Sequence, residues 1–155
     1  MMFTGEEKRR AARIRFRVSD NLQICYKFLS HLEGFQCDEI FEAPILNVST
    51  GGILFVGSLP GRDWLPQLGQ GLVMIGANLM VPEKKPVKGL CSLRWTRPSP
   101  VQLGPRYGSG EKYELGVQFE QLDNSNKQAL EKFLIGHQIR TRRFRVRDEM
   151  DRRFN

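Results

Sequence analysis

Two short stretches hold the side chains best suited to chemistry. The first is Glu7-Lys8-Arg9-Arg10-Ala11-Ala12-Arg13. A guanidinium group is a planar fork of donors. It grips a phosphate or a purine edge through paired hydrogen bonds, and it stacks on a base. Arg9 and Arg13 are four apart, roughly 13 Å in extended backbone. That span suits a ligand with two separated acceptors better than a single phosphate. The second stretch is Asn47-Val48-Ser49-Thr50-Gly51-Gly52. Asn47 and Ser49 share one side of an extended segment and offer short polar groups. Gly51 and Gly52 permit positive φ and close backbone approach. Together the stretches fit a small anion carrying phosphates and purine edges. Taken alone, the first reads as a solvated basic leader and the second as an ordinary Asx-type turn.

Both stretches border elements that hydrophobic periodicity predicts. Ile14, Phe16 and Val18 alternate with arginines, as in a strand with one face inward. Ser19-Asp20-Asn21 is turn chemistry, and Leu22, Ile24, Tyr26 and Phe28 alternate again, so the two strands are expected to pair as a hairpin. Residues 36–46 look extended, with Pro44 marking an edge or a strand end. The Asn47–Gly52 turn leads into a buried strand at 53–56. Residues 57–71 read as loop, with Trp64 at the core edge. Strands are expected at 72–81 and 87–97, joined by a charged tip at 82–86, with Cys91, Leu93 and Trp95 opposite Leu90, Ser92, Arg94 and Thr96. The Pro-, Gly- and Ser-rich segment 98–110 reads as a mobile loop. After a strand at 113–119 the period changes. Asp123-Asn124-Ser125 offers N-caps, Ser125 and Gln128 have capping-box spacing, and Leu130, Phe133, Leu134 and His137 recur as one helical face. Phe144, Val146, Met150 and Phe154 mark a second helical piece. Six or seven short strands followed by a helix predict an all-β-dominated domain, a small antiparallel barrel or sandwich closed at one end by the helix. The expected divisions are a basic leader at 1–12 carrying the first motif, a barrel with the start of its closing helix at 13–135, and a basic helical extension at 136–155.

Composition narrows the function classes. The chain of 155 residues can bury one real core, and its net charge of +7 favours an anionic partner. Cys25, Cys37 and Cys91 form no CxxC and read as reduced, buried thiols. The start of the chain has no apolar signal region and no stretch is long enough to span a membrane, so a cytoplasmic protein is expected. His31 and His137 have no nucleophile or carboxylate at motif spacing, so an enzyme, a metal site and a bound cofactor are not expected. Gly69, Gly71 and Gly76 fail the dinucleotide glycine pattern because Met74 occupies the third glycine's place. Trp64 and Trp95 read as core residues. Arg140 to Arg153 reads as a solvated face, with room for an acidic partner or self-association.

The ordered pair Arg9-Arg10-Ala11-Ala12-Arg13 and Asn47-Val48-Ser49-Thr50-Gly51-Gly52 resembles the RxxxR and [D/N]xSxxG motifs of the PilZ domain family. The resemblance extends to Arg94-Trp95, to Gly116-Val117-Gln118-Phe119 and to Leu122, Leu130, Glu131 and Phe133, covering about residues 7–135. It implies a six-stranded antiparallel split barrel with a C-terminal helix that binds the bacterial second messenger cyclic di-GMP, here as a stand-alone domain. Arg9 and Arg13 would be the main grips with Arg10 as helper. Asn47, Ser49, Gly51 and Gly52 would meet the opposite guanine. Lys8 stands where a third arginine sometimes occurs. Ordering of the leader against the barrel would relay the signal to a downstream protein, and homodimerisation through the C-terminal helix stays open. The competing expectations are a nucleic-acid-binding barrel and a PilZ-like scaffold that binds no ligand.

Overall fold

The computed structural model describes the backbone of residues 14–15 and the whole of residues 22–137. Strands β1 (Ile14–Arg15), β2 (Gln23–Ser30), β3 (Phe41–Val48), β4 (Gly52–Gly57), β5 (Val73–Met80), β6 (Val87–Pro98) and β7 (Tyr113–Gln121) follow the alternation of the sequence. The ring runs β3-β2-β5-β6-β7-β4 and closes by pairing β4 with β3, every pair antiparallel. This is a closed six-stranded barrel, with α2 (residues 124–137) after its last strand.

The inward residues explain why the ring closes. Ile24 and Tyr26 from β2, Ile45 from β3, Phe55 from β4, Ile75 and Leu79 from β5 and Leu115 from β7 are almost wholly buried. Each such apolar side chain contributes about 1.5–3 kcal/mol when removed from water. Tyr26 packs against Phe28, Phe41 and Phe55, and its hydroxyl donates to the Ser58 carbonyl at 2.7 Å. Leu130, Phe133 and Leu134 put one face of α2 into the same core. Asp123 caps this helix by accepting from the Asn126 amide at 2.8 Å. Asn126 Oδ1 in turn accepts from the Lys88 amide at 3.0 Å, which ties the helix start to β6. Of the expected N-cap candidates Asp123, Asn124 and Ser125, Asp123 makes the cap, and the Ser125–Gln128 box does not.

Other expectations change too. The β1–β2 hairpin is absent among the described residues. β1 pairs with β3, Ile14 against Val48 and Arg15 against Asn47, while β2 pairs with β3 and β5. Pro44 is buried inside β3 opposite Gln23, neither at an edge nor at a strand end. It sits where β3 exchanges one neighbour for another and bulges between Ile45 and Asn47, a place that tolerates the missing N–H. Residues 57–71 contain a 3₁₀ turn (Arg62–Trp64) and the short helix α1 (Leu65–Gly69), which carry Trp64 and Leu68 into the core. Segment 98–110 is pinned. The Tyr107 hydroxyl donates to Gln23 Oε1 at 2.7 Å, and Arg106 pairs with Glu42 at 3.3 Å.

The thiols divide. Cys91 is buried, whereas Cys25 and Cys37 are only partly so, contrary to the uniform burial expected. Burial, helped by Glu120, pushes the Cys91 thiol up to about 12. At pH 8 the native protein should expose Cys37 and Cys25 to an aromatic disulfide reagent and withhold Cys91 until denaturant is added. Equal reaction of all three thiols without denaturant would contradict this burial. No helix among the described residues is long and apolar enough to cross a membrane.

Candidate functional site

The second motif is a strand end, a three-residue turn and a strand start. Val48 closes β3, Ser49 to Gly51 turn, and Gly52 opens β4. The Ser49 amide donates to the Gly52 carbonyl at 2.9 Å, and the Gly51 amide donates to Ser49 Oγ at 3.1 Å. The serine hydroxyl therefore holds the turn and still has its own hydrogen to give. Neither motif glycine takes positive φ; among the described glycines only Gly34, Gly71 and Gly108 do. What Gly52 supplies is close approach. A Cβ there would fall 2.0 Å from the Val117 carbonyl oxygen of β7, whereas one on Gly51 would meet nothing nearer than Ser49 Oγ at 3.6 Å.

Cross-strand register extends the site. Asn47 faces Leu54, Leu54 faces Gly116, and Gly116 faces Trp95. Ile53, Phe55, Leu115 and Val117 point into the core, so this row lies on the outer wall. Asn47 and Leu54 are half-buried, and Trp95 is 44% exposed. The row spans four strands, roughly 14 Å at ~4.8 Å per strand. The Trp95 indole lies across Gly116, where an added Cβ would sit 2.3 Å from its Nε1. Beyond it, Arg97 forms an ion pair with Glu114 and places its Cζ 5.6 Å from the centroid of the Trp95 ring. The Glu114 hydrogen bond holds the Arg97 guanidinium above its ordinary pKa.

Trp95 was expected in the core and is on the surface. The cause is a bulge: β6 shifts register against β7 between Leu93 and Trp95. Strict alternation from Cys91 and Leu93 would send Trp95 inward, and the extra residue turns it out and Thr96 in. Trp64, by contrast, is buried against Phe28 and Phe35 as expected. Gly116 and Leu54 were missed as site residues. The available signal was a glycine within the alternating apolar strand at 113–119, which marks close approach of another group.

Lys8, Arg9, Arg10 and Arg13 lie outside the described residues. β1 nevertheless sets the residue after Arg13 against Val48, so the chain reaches the second motif directly after the first. A groove of about 570 Å³ lies elsewhere, on the outer face of β2, β5 and β6, and Asn47, Ser49, Gly51 and Gly52 do not line it. Among the described residues no cluster of His, Cys, Asp or Glu could hold a metal ion.

Comparison with solved structures shows the same fold. The PilZ domain of YcgR from Escherichia coli, solved with cyclic di-GMP, superposes at TM-score 0.57 and 11% identity, over 88% of this chain and 95% of that one. MrkH of K. pneumonia, solved in complex with cyclic di-GMP, gives TM-score 0.59 at 20% identity over 86% of this chain. This chain spans about half of MrkH, 53% of its length. The Bacillus subtilis inhibitor of motility MotI/DgrA gives TM-score 0.53 at 16% identity over 86% of this chain and 52% of that one. No curated protein matches the chain. The sequence profile of the PilZ domain matches residues 7–136, and the chain therefore belongs to the PilZ domain family.

Proposed function

We propose that this protein is a receptor for cyclic di-GMP, a binding module of the bacterial cytoplasm and not an enzyme. The observation that carries the reading is the outer row Asn47–Leu54–Gly116–Trp95, beside the point where β1 joins β3. It places a polar group and an exposed indole on one wall, the pair of features a guanine edge and a guanine face require. Family membership and the ligand in the YcgR domain support the same choice. In this reading Arg9 and Arg13, aided by Arg10 and flanked by Lys8, grip phosphates and guanine edges. Asn47, Ser49 and the backbone at Gly51 and Gly52 meet the opposite guanine, and Trp95 stacks on a base. The leader at 1–12 orders against the barrel on binding and so alters contact with a downstream protein.

The test is calorimetric titration of the whole chain with cyclic di-GMP, with GTP and a short single-stranded DNA as controls. Saturable heat with the dinucleotide alone is expected, and its endpoint counts ligands per chain. Steeply salt-dependent binding of the DNA, with none of the dinucleotide, would replace this reading with the nucleic-acid one. Silence with all three would leave a scaffold.

A further inference from the structure

Arg97 belongs to no motif, yet it stands over the most exposed aromatic surface of the candidate wall. The bulge after Leu93 directs both Trp95 and Arg97 outward on β6. One side of the indole rests on the backbone at Gly116. The guanidinium, 5.6 Å from the ring centroid, is 68% exposed, while its partner Glu114 is only 10% exposed and lies opposite it in register on β7. A nearly buried carboxylate thus tethers a solvent-exposed cation at stacking reach of an exposed indole. Glu114 is a short, fixed anchor, and Arg97 is a long, flexible arm.

We propose that Arg97 is a further ligand-contacting residue, a clamp that lifts off Trp95 to admit a purine base and closes on the base's outer face. The layers then run from the Gly116 backbone through Trp95 and the base to the guanidinium. This rests on the receptor reading above. The same planar, weakly hydrated cation that stacks on an indole stacks on a purine, and it adds positive charge beside a dianionic ligand. Glu114 keeps the arm in place without a carboxylate facing the ligand unpaired. Lysine carries the charge but not the plane, so the clamp distinguishes the two.

The experiment titrates cyclic di-GMP into wild type, Arg97→Ala and Arg97→Lys, with urea unfolding to verify that each variant folds. Trp95→Ala runs in parallel. Arg97→Ala should weaken binding about 5- to 20-fold, and Arg97→Lys should recover less than half of that loss on a logarithmic scale. In the Trp95→Ala background the Arg97→Ala penalty should shrink, because the base has lost its lower layer. Wild-type binding with Arg97→Ala unchanged or tighter overturns the clamp alone. Full recovery by lysine also overturns it, leaving a point charge. No binding by wild type overturns the receptor reading and the clamp with it.

Discussion

Gly52→Ala is expected to lower the stability of the folded barrel by about 2–4 kcal/mol, a large loss for one methyl group. The methyl would point at the Val117 carbonyl, 2.0 Å from its oxygen, and at the backbone of Gln118. Neither is the loose end of a side chain, so β4 must draw away from β7. Gly52 pairs with Gln118 at the first step of that ladder, and the Phe119 amide donates to Gly51 at 2.9 Å just beyond it. Both bonds stretch when the strands part. Gly51→Ala is the control: its methyl meets only Ser49 Oγ at ordinary contact distance, and its effect should stay within about 0.5 kcal/mol. Urea unfolding should place the Gly52→Ala midpoint about 1–2 M below wild type and leave Gly51→Ala near it. Coincident midpoints for all three proteins would disprove the close packing of β4 on β7. The contrast also bears on ligand work, since a Gly52 variant that fails to bind has first to be shown folded.

Arg9→Ala/Arg13→Ala is expected to weaken cyclic di-GMP binding by at least 100-fold. Each arginine, in the proposed role, makes charge-assisted hydrogen bonds of roughly 1.5–3 kcal/mol. Two such losses amount to two or more decades in affinity at about 1.4 kcal/mol per decade. Both are charged residues that take no apolar position in the sequence pattern, so the urea midpoint should match wild type. Calorimetry on the double variant, with each single variant one to two decades weaker than wild type, is the check. A double variant that binds within threefold of wild type would remove the leader from the site.

The residues that announce their environment by alternation were readable in advance. The strands at 72–81 and 87–97 correspond to β5 and β6, and the switch of period after Phe119 marks α2. Alternation reports which face is buried and is silent about the neighbour. Ile14 and Leu22 therefore suggested a hairpin, although β1 lies against β3. It also fails across a bulge, which inverts the parity of everything after it; Trp95 and Thr96 exchanged faces for that reason. Pro44 misled because a proline without an N–H usually avoids an interior strand, and only the change of partners along β3 accommodates it. At the candidate wall, the polar strand end and turn at Asn47 and Ser49 were legible as local structure. Leu54 and Gly116 were not, because their significance comes from register between strands far apart in sequence. Gly52 was legible as a glycine with two expected causes, and only one operates: close approach to β7 requires it, not a left-handed turn.

The β4–β7 seam has a kinetic meaning. Residues 58–112 intervene between its two strands, the longest interval that any pairing in the ring must close. Contacts of such high sequence separation are slow to assemble and form late. The wall from Asn47 to Trp95 straddles that seam, with β3 and β4 on one side and β7 and β6 on the other. In the proposed role, a dinucleotide bound from β3 to β6 would be a strap over the last joint to close and the first to part. Its binding energy then acts on the rate of opening rather than the rate of folding. Where proteolysis follows opening, occupancy by the proposed ligand would also lengthen the life of the protein that binds it.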